Sequence, residues 1–470
     1  MDHPREGNAA RPLERRSVGL AGHGLASGYA QRLLESLGAT VEVSSGPEDV
    51  DPSTAWARSG LMVLTGLSGG LPQMCPVPLA SCADGVMRAL GSIAQDWTQD
   101  TLPVGSSLLG ERAAIAGLRR HGAISPGGGC QLLRAADGWL ALSLARAADW
   151  ADVPAWLEDP RIDTWPAVAA AVASQEVAGL VDRARLLGLA ACISSGSAMQ
   201  GGEWLTATRQ GPSAASSGRR RPPRVLDLSS LWAGPLCSHL LQLLGAQVVK
   251  FESLDRPDGA RSGPREFYDL LNGGKRSVGL VFDDAGIASL HQLIDWADVV
   301  VEGSRPRALR QLGVIAEDCI ARRSGLTWIS ITGYGRNEPQ ANWTAYGDDA
   351  GVAAGLSALL HELTGLPLIC GDAIADPLTG MHAALAGLAC HQAGGGILLS
   401  LALQDVVGHC VAFSRPDEDA ALRDRWNAWS AAARSSGLDT TPPAERHATQ
   451  PARELGADTT VVLAECRDSR

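Results

Sequence analysis

Residues 374–396 ("IADPLTGMHAALAGLACHQAGGG") run as small and apolar side chains between a carboxylate and a glycine cluster. Helices end in glycine, and proline suits the first helical position while pushing the residue before it out of the α region, so this stretch predicts a helix with Asp376 at its N-cap. Residues 17–43 show a different rhythm: an apolar run, a glycine-containing turn, a helical period that stops before Gly38, and a second apolar run. That order predicts a strand–helix–strand unit. The same pattern returns at residues 224–252, where Leu240, Leu241, Leu244, Gly245 and Ala246 match Leu33, Leu34, Leu37, Gly38 and Ala39. Likewise "ADGVMRALGSIAQ" from Ala83 matches "LTGMHAALAGLAC" from Leu378, which sets Ser81 at the position of Asp376. The chain therefore reads as an internal duplication whose first copy is shorter, lacking most of what corresponds to residues 259–351.

Further strand–turn–helix units in the second copy predict an α/β protein with a doubly wound parallel-sheet large domain, or two such domains; the stretch between the copies, different in character, is expected to be a smaller α+β domain. The expected organisation is a disordered arm at 1–16 and a degenerate large-domain copy at 17–109. A small domain with a glycine loop follows at 110–205, then a linker at 206–223, the complete large domain at 224–413, and a tail with a C-terminal helix at 414–470. Arg219, Arg220 and Arg221 read as a solvated tether within the linker.

Composition narrows the function. With 470 residues there is room for two or three domains, and aromatics at only 4% suit helix-on-sheet layers better than a β-sandwich. A net charge of -11 argues against nucleic-acid binding, so any phosphate must meet a local cationic site. Ten cysteines form no C-x-x-C pair and no secretory signal precedes them, which suits reduced thiols in a cytoplasm and no metal site. Charged residues and histidines interrupt residues 351–413 before they reach the roughly 18 unbroken apolar residues of a membrane span. Gly22, Gly24 and Gly28 imitate a dinucleotide fingerprint, but their spacing is wrong and no acidic residue follows at a suitable distance.

Spacing alone leaves Asp376 with two readings, a helix cap or a nucleophile held ionised by the helix dipole. Asp376, Thr379 and Gly380 stand in a D-x-x-[ST]-G arrangement, and "GDAIADPLTGMHAALAGLACHQAGGGILLSLALQD" resembles the nucleophile region of the family III CoA-transferases. That resemblance implies an aspartate acylated during turnover. "SPGGGCQLLRAADGWLALSL" resembles the family's small domain, where a glycine loop closes over the intermediate; the matching residues are Gly127, Gly128 and Gly129. The resemblance further implies that Lys275, Arg276 and Arg310 lie near the CoA nucleotide, that Gly303 and Ser304 form the turn approaching it, and that Tyr334 lies near the thioester. It implies an acyl-CoA and a carboxylic acid as substrates, with no permanently bound cofactor. A homodimer or an intramolecular pseudo-dimer fits the duplication.

Departures from the family pattern limit the inference. Trp232 stands where formyl-CoA transferase carries a glutamine against the reacting group, and the "E-N-F" turn is here "E-G-S". At the place where the racemases of the family have a histidine before an aspartate, this chain has Tyr346-Gly347-Asp348-Asp349, leaving only His361 or His382 as substitutes. CoA transfer to a free carboxylate is thus the leading expectation. A 2-methylacyl-CoA racemase or isomerase, and a non-catalytic CoA-ester-binding protein, are the alternatives.

Overall fold

The computed structural model describes residues 9–94, 97, 102–196, 202–214 and 221–468, so Arg219 and Arg220 of the proposed tether and residues 1–8 of the proposed arm lie outside it. Its strands are β1 (Ser17–His23), β2 (Thr40–Glu48), β3 (Cys130–Arg134), β4 (Trp139–Ser143), β5 (Ala190–Ile193), β6 (Thr206–Arg209), β7 (Arg224–Asp227), β8 (Gln247–Ser253), β9 (Arg276–Leu280), β10 (Val299–Glu302), β11 (Thr327–Thr332) and β12 (Ile397–Ala402). The large sheet has the order β6-β12-β11-β10-β7-β8-β9, parallel throughout except for β6. Its central strands are nearly continuous apolar runs, as burial on two faces demands; all four residues of β10 are buried. The chain order reverses between β7 and β10. In a doubly wound sheet the crevice beyond the carboxyl ends of two such strands is where ligands bind.

The first copy forms a separate two-stranded parallel sheet, β1 with β2. Its helices are what join it to the second copy: helix Leu79–Ala94 packs on helix Ala375–Gln392, and all four helices of the two copies share one core. A single close approach occurs twice in that core. A Cβ added at Gly380 would lie 2.6 Å from the Ala233 carbonyl and 3.1 Å from Leu236 Cβ, and one added at Gly85 would lie 2.6 Å from the Ala26 carbonyl and 3.0 Å from Tyr29 Cβ. Ala26 and Tyr29 stand in the same register to Ala233 and Leu236 as Leu33 does to Leu240. Only glycine lets the two helices of each pair meet this closely.

Between the copies, the antiparallel sheet β3-β4-β5 carries helices Ala147–Leu157, Trp165–Val172 and Val177–Leu186 around its own core of Leu140, Trp156 and Leu180. The glycine cluster sits just before β3, and β4 begins at Trp139.

Three boundaries differ from expectation. Residues 9–16 are not a loose arm, because Leu13 is fully buried and the Ala10 N–H bonds the Ala207 carbonyl at 2.8 Å. Residues 206–209 are not linker but β6, closing the sheet beside β12 with β-branched threonines. The polar stretch after residue 414 contains helix Asp419–Ser435, whose Leu422 and Ala433 are buried and whose neighbour Trp426 donates its indole N–H to the Met74 carbonyl at 3.0 Å. Apolar residues spaced among charged and polar ones around the helix hid that docking face. Helix Thr459–Asp468 covers the sheet near β9, and no described helix is long and apolar enough to cross a membrane.

Candidate active site

Asp376 is not the N-cap. Ala373 adopts a left-handed backbone (φ 44°) and turns the chain, so Ile374 is already helical and caps the helix while Asp376 is its second residue. Pro377, third in the helix, lacks an N–H that would have had no intrahelical partner anyway. No side-chain cap bond forms. Every residue from Ala375 to His391 is buried except Asp376, which is half-buried. A helix enclosed on all sides thus has one window, and the carboxylate stands in it.

Two other helices begin beside that carboxylate. The Ala233 backbone N–H, at the start of helix Ala233–Leu243, lies close enough to favour its charged form. Gly347, the first residue of helix Gly347–Ala353, approaches so closely that an added Cβ would be 2.2 Å from Asp376 Oδ2. Helix N-termini favour negative charge. Leu231 (φ 70°), just ahead of Ala233, and Ala373 are both non-glycine residues in the left-handed region, so backbone strain flanks the carboxylate on two segments.

Three more carboxylates crowd the window, with one guanidinium to answer them. Arg112 grips Asp372 through Nε (2.8 Å) and Nη2 (2.5 Å), and lies 5.6 Å from the centre of the Trp232 ring. Asp348 accepts the Ala373 N–H at 2.7 Å and the Ser125 hydroxyl. Asp349 accepts from Ser143 Oγ (2.8 Å), the Tyr346 N–H (2.9 Å) and the Tyr334 hydroxyl (3.2 Å). Burial, with Arg112 opposing and Asp348 adding to it, pushes the Asp376 carboxyl up to about 7. Burial raises Asp349 to about 7 and, with Asp372 beside it, Asp348 to about 6.

The glycine loop meets this cluster. Ser125 reaches Asp348, and a Cβ at Gly127 would sit 3.2 Å from Arg112 Nη2 and 3.8 Å from Asp372 Oδ1. Gly128 (φ 77°) makes the turn, its N–H bonded to the Ser125 carbonyl, and the Gly129 carbonyl accepts from Leu144 at the far side of β4.

At the sheet's switch point Gly303 packs on the loop after β7, where a Cβ would come within 3.2 Å of Ser229 Cβ. Ser304 next to it donates to Glu302 at 3.0 Å. Arg310 lies on the short helix Pro306–Gln311 beyond β10, half-exposed and paired with Glu317 at 3.1 Å. Tyr334 is buried, its hydroxyl committed to Asp349.

Two of the five residues expected at the nucleotide are committed to protein partners. Lys275 is buried beneath helix Ala233–Leu243, its ammonium within 2.8–3.0 Å of Asp227, Pro235 O, Ser238 and Asn272. Four acceptors for three N–H groups leave nothing for a phosphate. Burial lowers it to about 8 despite Asp227; Asp227, which burial alone would raise, is held well below the usual carboxylate range by Lys250 and Lys275. Arg276 begins β9 and so lies at the amino edge of a parallel sheet, stacked near Trp296 and paired with Glu465.

In their place stands a group the sequence did not flag. Burial depresses Arg305, and the charges of Arg307, Arg146 and Arg256 depress it further, so it lies within electrostatic reach of three other cations: Arg256 follows β8, Arg307 follows β10, and Arg146, paired with Asp149, belongs to the segment between the copies. Arg112 was missed too, since nothing in its sequence neighbourhood ties it to Asp372, 260 residues away. Among the described residues no group of His, Cys, Asp and Glu side chains is arranged to hold a metal ion.

Residues 223–415 match the family model described as CoA-transferase family III. Formyl-CoA:oxalate CoA-transferase of Escherichia coli O6:H1 (strain CFT073) is 31% identical over 196 residues, covering 39% of this chain and 47% of that protein. The chain therefore spans about half the length of the curated relatives it matches. Among solved structures, Rv3272 from Mycobacterium tuberculosis is 30% identical over 39% of this chain and 53% of its own (TM-score 0.37). A CAIB/BAIF family protein from Brucella suis is 26% identical over 48% and 58% (TM-score 0.37). Residues 223–415, less than half of the chain, are thus similar to CoA-transferase family III.

Proposed function

We propose that this protein moves CoA from an acyl-CoA donor to a free carboxylate through a covalent intermediate on Asp376. The observation that carries this reading is the single partly open carboxylate in an otherwise enclosed helix, with no capping bond to explain it. A carboxyl that ionises near neutrality is a better nucleophile than an ordinary aspartate and is still charged in a large fraction of molecules.

Its oxygen attacks the donor thioester carbonyl, expelling CoA thiolate and leaving a mixed anhydride. The thiolate then attacks the aspartyl carbonyl of that anhydride, releasing the donor's carboxylate and leaving an aspartyl-CoA thioester. The acceptor carboxylate attacks this thioester, and the thiolate finally attacks the acceptor acyl carbonyl, giving the new CoA ester and free Asp376. Each step exchanges one acyl link for another at little net energy. What the protein supplies is positioning and charge stabilisation: the Ala233 N–H and Arg112 answer the oxyanions, and the glycine loop at Arg112 shields the intermediate from water. Gly303 permits close approach at the switch point, and Arg305, Arg307, Arg256 and Arg146, with Arg310 nearby, take the nucleotide phosphates. Trp232 stands where the family resemblance implies a glutamine against the reacting group, so formyl-CoA and oxalate are not carried over as substrates.

Racemisation fits less well. His382 is buried, bonded to Tyr29 and to the Leu378 carbonyl, and held neutral by burial at about 3; His361 stacks near Trp139. Neither faces Asp376.

The test is Asp376→Asn. It should keep the fold and lower transfer about 10³-fold or more, while the wild-type chain incubated with acyl-CoA and hydroxylamine should yield a modified peptide containing Asp376. Undiminished transfer in the Asn variant, measured as new CoA ester over a panel of carboxylates, would sink the proposal; α-proton exchange without a new ester would favour the racemase, and neither activity a binding protein.

A further inference from the structure

Resting on the reading of Asp376 as the reacting group, we infer that Arg446 is a positioning residue for that site: its one guanidinium ties the helix that begins beside Asp376 to the segment that presents Arg112. Arg446 belongs to the extended stretch before helix Thr459–Asp468, beyond residues 223–415 that match the family model. Its Nε and Nη2 meet Glu111 Oε2 at 3.1 and 3.0 Å, and its Nη1 meets His239 Nε2 at 2.7 Å. Burial, with the Arg446 charge adding to it, holds His239 well below its usual range and so neutral, and its Nε2 accepts.

Both partners lead directly to the site. Glu111 is 1% exposed and immediately precedes Arg112, which grips Asp372 and whose charge favours the Asp376 anion. His239 lies on helix Ala233–Leu243, whose Ala233 N–H favours the same anion. Trp232, at the cap of that helix, joins the two paths: its ring centre is 5.6 Å from the Arg112 guanidinium, and its indole lies close enough to Glu111 to favour the carboxylate. An ion pair between exposed side chains holds little in place, whereas a buried carboxylate is strongly destabilised when its partner is removed. Glu111, and Arg112 beside it, therefore stand where Arg446 allows.

The stretch that carries Arg446 is itself seated on both copies. A Cβ at Gly110 would lie 2.7 Å from Pro443 Cβ, one at Gly60 would overlap Pro443, and one at Gly273 would overlap the Gln450 carbonyl. The Ala452 N–H bonds Asp269 Oδ1 at 2.9 Å. Gly110 and Glu111 are thus held from behind while Arg112 faces the carboxylates. Asp348 and Asp349 of helix Gly347–Ala353 raise Asp376 by like charge, Asp372 does the same to Asp348, and Arg112 opposes them. Without Arg446, Arg112 loses its register to Asp376 and the balance tips toward the protonated acid.

Infrared difference spectra over a pH series, each chain against the same chain carrying Asp376→Asn, read the protonated Asp376 carboxyl and need no substrate. In Arg446→Gln its midpoint should rise by about one pH unit, since a cation within about 4–6 Å moves a carboxyl by about 1–3 units. With Arg112→Gln already present, Arg446→Gln should raise it little further, because Arg446 acts through Arg112. Arg446→Lys keeps a charge beside Glu111 but lacks the fork that spans to His239. It should raise the midpoint too, and it decides the matter if Arg446→Gln fails to fold. A midpoint unmoved in the folded variants, or moved equally with and without Arg112→Gln, would overturn the inference; the second result is what a distant charge or a merely structural role gives. Undiminished transfer in Asp376→Asn would instead sink the acyl-transfer reading and leave these titrations unchanged.

Discussion

Asp348, Asp349 and Asp376 ionise near 6, 7 and 7 in the folded chain, well above the ordinary aspartate value, and two consequences differ in sign. Transfer needs the Asp376 anion, so kcat/KM should rise with pH through about 7, the cluster titrating in coupled steps. Stability runs the other way: a carboxyl that the fold keeps protonated stabilises fully below its unfolded pKa near 4, and that contribution is lost as pH rises through 6 to 7. Melting temperatures of the wild type should therefore fall relative to Asp349→Asn between pH 5 and 8, in scanning calorimetry; parallel curves would show that Asp349 carries no raised pKa. Arg112 supplies the opposing charge. Arg112→Gln should push the Asp376 titration upward, moving the rising limb of the pH–rate profile to higher pH, whereas a purely structural role would lower the rate at every pH alike. Arg112 was not legible in the sequence, because it lies 260 residues from Asp372 and the two meet only through the fold; Asp348 and Asp349 stood out only as the place where the racemases carry a histidine. The cap assignment failed for a local reason: a left-handed Ala373 turns the chain three residues early, and alanine gives no sign of that conformation.

At the scale of elements, repetition was the strongest signal. The match of Ala83 onward with Leu378 onward, and of Leu33 with Leu240, placed Gly85 and Gly380 where the helix pairs touch. Gly85→Ala and Gly380→Ala should each cost about 1–3 kcal/mol by overpacking, read from urea unfolding. Their effects on transfer should diverge: Gly380→Ala presses on the Ala233 carbonyl, whose own N–H faces Asp376, and Gly85→Ala presses on Ala26 in the other copy. Equal losses of rate in the two variants would refute that coupling. The parallel units were legible because period and turn chemistry are local, whereas the small domain was expected only through the resemblance of its glycine-rich segment. β6 and helix Asp419–Ser435 were not legible, since four residues beside a proline- and arginine-rich tether and an alanine-rich helix of mixed polarity acquire their roles only from β12 and from helix Pro52–Arg58 against which they pack.

For the whole molecule, a net charge of -11 makes the cluster of Arg146, Arg256, Arg305 and Arg307 conspicuous. Arg305→Ala and Arg307→Ala should each weaken CoA binding about tenfold, within the range of charged hydrogen bonds, and flatten its dependence on salt. Lys275→Met should instead act on stability, because its partners are all protein atoms. Unaltered CoA affinity in both arginine variants would move the nucleotide site elsewhere.

The pairing of β6 with β12 also sets a schedule for synthesis. Residues 206–209 hydrogen-bond to residues 397–400, and helix Leu79–Ala94 lies on helix Ala375–Gln392. At about 5–20 residues per second, a ribosome that has finished β6 needs about 10–40 s more to deliver its partner. Over that interval the faces of Leu33, Trp56 and Leu90 that the finished core encloses lack the second copy's side chains. The time open to chaperone capture is therefore fixed by where the partner strand is encoded.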